Sequence, residues 1–115
     1  MKQTNRAKAL EIPIDVKWKV AKRDSWDGCP CCIFCGRPSP AGTSWSNAHV
    51  VPRSQGGLGI EQNIVTACPE CHRKLDQTVE REEMQEYAER YLKTKYKAWT
   101  RQKCTFRPWG RTKQC

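Results

Sequence analysis

The chain has 115 residues, 37% of them hydrophobic, 29% charged, and a net charge of +9, which reads as one domain and excludes a multi-layer core. Leu, Ile, Val and Phe together number 17, too few for so charged a chain to fold on apolar burial alone. No stretch has the length and apolarity of a signal peptide or a membrane span, so the expectation is a cytosolic protein whose 8 cysteines stay reduced and serve a metal in preference to disulfides.

In chain order, the polar start MKQTNRAKALEI offers no clear element. Residues 13–24, PIDVKWKVAKRD, predict a short helix, with Pro13 near its start and Val16 and Val20 on one edge. The stretch WDGCPCCIFCGRPSPAG, crowded with Cys, Gly and Pro, reads as loop and knuckle. SNAHVVP predicts a strand stopped by Pro52, SQGGLG a loop, and NIVTAC a second strand. Helix is expected from Pro69, with Glu70 favourable in the first turn. It continues, as one helix or two, through KLDQTVEREEMQEYAERYLKTKY, with Val79, Met84, Tyr87, Tyr91 and Leu92 as an apolar stripe.

The charge is uneven. Residues 1–89 hold 12 basic and 12 acidic side chains, whereas residues 90–115 hold 9 basic and none acidic. Tyr91, Tyr96, Trp99, Phe106 and Trp109 are interleaved with that excess, a mixture suited to phosphates and exposed bases. The composition therefore divides the chain into a domain over residues 1–92 and a basic aromatic extension over residues 93–115, with Lys95, Lys97 and Arg101 as expected contacts to nucleic acid.

Cys32 and Cys35, and Cys68 and Cys71, form two Cys-x-x-Cys pairs with 32 residues between them. A two-residue gap lets both thiolates of a pair reach one ion, and two pairs complete a closed, tetrahedral structural zinc site. Cys29 and Cys32 offer an alternative first pair. Gly36 directly after Cys35 favours Cys32 with Cys35, because a knuckle needs an unhindered backbone turn there. Cys29 and Cys31 are then spare thiols with a redox switch as one use, and Cys104 and Cys115 stand apart from the metal site.

Zinc at these cysteines would pin the start of the downstream helix, where His72 and Asp76 are four apart and can approach one cation together. A hairpin through His49 and Asn63 would lie across that helix. Singly, His49, Asn63 and His72 fit ordinary structural roles. Their joint order, with spacings of 14 and 9 residues inside "AHVVPRSQGG" and "NIVTACPECH" and beside the knuckles, resembles the His-Asn-His (HNH) endonucleases of the ββα-metal class. The match covers about residues 13–78.

The resemblance implies a small α+β fold: a ββα-metal motif braced by a four-cysteine zinc site, with flanking helices and a basic C-terminal tail. It implies a metal-dependent DNA endonuclease in which His49 is the general base, Asn63 holds it through backbone hydrogen bonds, and His72 with Asp76 binds a divalent cation such as Mg²⁺, Mn²⁺ or Ni²⁺. Arg53 and Lys74 flank that site and are expected to touch phosphate. Within the class the chain is similar to small stand-alone bacteriophage proteins, which implies a bacterial host cytoplasm and packaging proteins such as terminase as partners. Many members carry a ligand where this chain has Ala48. That departure leaves two readings: an ion held with few protein ligands, or a zinc-stabilised DNA-binding module whose nuclease centre has decayed.

Overall fold

The computed structural model describes residues 5–77 and 79–107. Helix α1, Asn5–Leu10, lies in the stretch without a sequence signal and buries one residue, Leu10. Helix α2, Ile14–Arg23, follows extended Pro13, with Asp15 in its first turn and Lys22 and Arg23 in its last, each charge complementing the helix dipole. Val20 on its edge is fully buried, whereas Ile14 and Trp18 face solvent. The stretch read as loop contains a minimal hairpin, in which β1, Ser25–Trp26, pairs with β2, Cys29–Pro30. Asp27 and Gly28 between them both have positive φ, the tight turn that Asp-Gly favours.

Strands β3, Ser46–His49, and β4, Ile64–Ala67, pair antiparallel, with Ser46 opposite Ala67 and His49 opposite Ile64. Helix α3, Pro69–Gln77, follows directly and packs on both strands. A second helix, α4, spans Arg81–Lys95 and packs on α3. Val79, expected on an apolar stripe, lies between the two helices and is 99% exposed. Tyr87 is also exposed, and the buried edge of α4 is Gln85, Ala88 and Leu92. Gln85 is tolerated there because its side-chain amide donates to the Val50 carbonyl at 2.7 Å. The molecule is thus a small α+β domain in which β3, β4 and α3 form a ββα unit backed by α4.

The apolar core is thin, centred on Ala48, Val50, Val51, Val65, Ala67, Leu75, Ala88 and Leu92. A buried polar hub supplements it. The Arg23 guanidinium makes a two-pronged contact with Asp24, at 2.7 and 3.0 Å, and also donates to the carbonyls of Glu61 and Ile64 and to the Tyr96 hydroxyl. Asp24 in turn accepts from the Thr66 amide and the Tyr91 hydroxyl. One ion pair therefore ties α2 to β4, to α4 and to the chain beyond it.

Residues past α4 fold back onto the loop between β3 and β4. Trp99 and Cys104 are buried, Leu58 N–H donates to Cys104 O at 2.8 Å, and Phe106 N–H donates to Gly56 O at 2.7 Å. Trp109 and Cys115 lie outside the described residues. Among the described residues no helix is long and apolar enough to cross a membrane.

Candidate active site and metal centre

Cys32 and Cys35 come from the knuckle after β2, and Cys68 and Cys71 from the junction of β4 with α3. Their four sulfurs lie within 4.8 Å of one another, and Cys35 Sγ is 3.8 Å from Cys68 Sγ. A disulfide would need about 2.05 Å, whereas sulfurs about 2.3 Å from one tetrahedral ion are about 3.8 Å apart. The donor set therefore fits a metal. The knuckle closes as the sequence requires: Gly36 has φ +79, and its N–H bonds Cys32 O at 2.8 Å while Cys32 N–H bonds Arg37 O at 3.0 Å.

The thiols compete for protons. Burial and then the neighbouring sulfurs push Cys71 well above the ordinary thiol range. Cys35 is also raised, first by burial and then by Cys32 and Cys68. Cys68 is desolvated as well, but hydrogen bonds from the Cys71 backbone and from the surrounding thiols bring it below the ordinary value. Four such groups ionise together only around a cation. Among the described residues this is the one group of three or more Cys, His, Asp or Glu side chains with metal-site spacing. Cys29 and Cys31 are outside it, with Cys31 Sγ 3.3 Å from Cys29 O.

His49 ends β3, and its Nε2 lies 2.9 Å from the carbonyl oxygen of Leu10. A carbonyl only accepts, so Nε2 carries the proton and Nδ1 keeps a free lone pair. Burial lowers the His49 pKa most. The positive charge of Arg53 acts in the same direction, against the Leu10 hydrogen bond and the Asp76 carboxylate. Arg53 also donates to Leu10 O at 2.9 Å.

Asn63, fully buried, bridges the loop. Its Oδ1 accepts from Val51 N–H at 2.8 Å, and its Nδ2 donates to the carbonyls of Val51 at 3.2 Å and Leu58 at 2.9 Å. On α3, His72 Nε2 lies 3.4 Å from Asp76 Oδ2. Its Nδ1 lies 2.9 Å from Ser46 Oγ. Ala48 is 1% exposed and packs in the core, so position 48 is a packing position and adds no donor beside His72.

Two partners of the histidines had no signal in the sequence. The Leu10 contact is made by a backbone oxygen 39 residues away, which no side-chain pattern reveals. Ser46 meets His72 only because β3 crosses α3.

The expected nucleic-acid contacts are dispersed. Arg53 stands beside His49, and Lys74 is half-buried on α3. Lys95 and Lys97 line a separate cleft of about 470 Å³ with Lys103, Tyr96 and Trp99. Lys95 Nζ also sits 5.5 Å from the centre of the Tyr91 ring, and Arg101 is paired with Glu89.

Residues 32–88 match a family model described as HNH endonuclease. That segment, which holds both histidines, Asn63 and all four clustered cysteines, belongs to the HNH endonuclease family. The family implies a nuclease, with DNA as its substrate. No curated protein matches the chain.

Proposed function

We propose that the protein is a metal-dependent DNA endonuclease that hydrolyses phosphodiester bonds, with His49 as general base and a divalent cation at His72 and Asp76. The observation that carries this reading is the orientation of His49. Its protonated Nε2 is engaged by Leu10 O, so the basic Nδ1 is free to accept a proton. Burial and nearby positive charge favour the neutral ring, the form a base requires.

In the proposed reaction His49 Nδ1 removes a proton from water. The resulting hydroxide forms a new bond to phosphorus as the bond to the leaving sugar oxygen breaks. Arg53, which shares the Leu10 carbonyl with His49, would pair with a phosphate oxygen. Asn63 keeps the loop after His49 in shape through its bonds to Val51 and Leu58. A divalent cation, when bound, polarises the phosphate and stabilises the leaving oxyanion. His72 and Asp76 suit such an ion: cis donors about 2.1 Å from one cation are separated by about 3.0–3.4 Å, and this pair is separated by 3.4 Å. Two protein donors leave water and substrate phosphate to complete the shell, as Mg²⁺ and Mn²⁺ accept. For the tetrathiolate we propose zinc, which favours four closed sulfur ligands. Lys95 and Lys97 would add affinity by neutralising phosphates.

Ala48 motivates the other reading, a zinc-stabilised DNA-binding module with a decayed centre. Supercoiled plasmid incubated with Mg²⁺, Mn²⁺ or Ni²⁺ separates the two. Relaxed or linear product is expected from the wild type. For His49→Ala we expect loss of cleavage by about 10²–10⁴-fold, with metal content and circular dichroism unchanged. Binding without any nicking in every metal would favour the decayed module, and a His49→Ala variant that cuts at the wild-type rate would remove His49 from the mechanism.

A further inference from the structure

His72 is the one proposed metal ligand whose far ring nitrogen has a side-chain partner. Ser46 stands at the start of β3, opposite Ala67, and its Oγ donates to Ala67 O at 3.0 Å. A serine hydroxyl has a single proton. With that proton committed to a carbonyl, Ser46 Oγ can only accept from His72 Nδ1, 2.9 Å away. In the neutral ring the proton then resides on Nδ1, and the Nε2 lone pair is turned toward Asp76 Oδ2 at 3.4 Å. That separation suits a cation or a proton shared by the two.

We propose that Ser46 is a positioning residue for the metal: through the relay His72 Nδ1–H to Ser46 Oγ–H to Ala67 O it selects the tautomer of His72 that offers Nε2 to a divalent cation. The proposal rests on the reading of His72 as a metal ligand. Its physical basis is general. A metal-binding imidazole is held in its tautomer and ring orientation by what its other nitrogen bonds, and loss of that partner weakens metal binding. Here the partner is anchored on the backbone of the strand opposite, so the hairpin register sets ligand geometry. The relay also suits a site short of ligands. With Ala48 buried in the core, His72 has little help, and a ring free to flip or to change tautomer would present Nε2 only part of the time.

The test uses the full chain and two isosteric variants. Ser46→Val removes the hydroxyl, whereas Ser46→Thr keeps it with the same branching, so their strand packing cancels in the comparison. Nitrogen-15 NMR of the imidazoles in mildly alkaline, Mn²⁺-free buffer reports the tautomer directly. We expect His72 to carry its proton on Nδ1 in the wild type and in Ser46→Thr, and a mixture with the Nε2-protonated form in Ser46→Val. Mn²⁺ titration followed by electron paramagnetic resonance should show Ser46→Val weakened about 10- to 100-fold, and Ser46→Thr restored to near wild type. Thermal melts should be similar for all three, since Ser46 is exposed. A wild-type tautomer and Mn²⁺ affinity in Ser46→Val would overturn the proposal alone. Undiminished Mn²⁺ binding by His72→Ala would overturn the metal reading and this proposal with it.

Discussion

A general base must be neutral when it meets water, and at His49, the proposed base, the surroundings act on that requirement in a definite direction. Burial disfavours the imidazolium and Arg53 repels it, against the Leu10 carbonyl and Asp76. The net effect lowers the pKa from the ordinary value of 6.5. Because the neutral ring is the active form, activity rises with pH through this pKa and is flat above it. The acid limb of kcat/KM, measured at saturating metal, should therefore have its midpoint below 6.5. A bound cation would move it lower still. The same shift couples to folding: the unfolded chain takes up the proton first as pH falls through 6.5, so this residue's contribution to stability declines on the acid side. An acid limb centred at or above 6.5 would contradict His49 as the base. At this scale the sequence was informative only about side chains. The order of His49, Asn63 and His72 was readable, whereas the acceptors that select both tautomers, Leu10 O and Ser46 Oγ, depend on which segments cross.

The loop between β3 and β4 is held by elements distant in the chain. Asn63 bonds Val51 and Leu58 from within. From α1, Ala9 O accepts from Gly59 N–H at 3.0 Å, and Arg6 reaches Arg53 O at 3.1 Å. On the C-terminal side, Cys104 O and Phe106 N–H bond Leu58 and Gly56. Both clamps lie outside the family-matched residues 32–88. Period and punctuation made α2, β3, β4 and α3 legible, because each has several buried positions or a clear breaker. Helix α1 was not legible: six residues with one buried Leu10 carry no period. SQGGLG reads in the sequence only as a loop, but its last residue, Gly59, is a contact point. A Cβ there would sit 1.7 Å from Glu11 O and 2.4 Å from Glu11 C, and backbone cannot yield as a side chain would. Gly59→Ala should therefore displace the segment that carries Leu10 O, costing about 1–3 kcal/mol of stability and freeing His49 to rotate. We expect kcat to fall at least about 10-fold, the usual scale for misplacing a catalytic group, with DNA affinity little changed. A Gly59→Ala enzyme with wild-type kcat would show that α1 does not support the base.

Across the whole molecule, two devices replace the large core that the composition denies. The Arg23–Asp24 hub joins α2, β4 and α4, and the cysteine cluster joins segments 32 residues apart. The cluster was plain in the sequence because ligand spacing is local within each pair. The hub was not, since its partners are backbone carbonyls and tyrosines scattered from Glu61 to Tyr96. The hub's strength is limited, because buried ion pairs lose in desolvation much of what they gain in attraction. A structural zinc contributes about 10–16 kcal/mol in small zinc-folded peptides, while a whole domain is stable by about 5–15 kcal/mol. Removing the ion should consequently unfold the ββα unit and not merely loosen it. Chelation strong enough to strip zinc, verified by metal analysis, should abolish the cooperative melt and the chemical-shift dispersion, and excess Mg²⁺ should not restore them. Cys68→Ser should behave in the same way. On the proposed mechanism, mild removal of a catalytic cation would instead stop cleavage and leave the fold intact, so the two proposed metals would be separable by what survives. A zinc-free chain that still melts cooperatively at the wild-type temperature would mean that the hub and the thin apolar core suffice, and that the thiols are not the keystone of this fold.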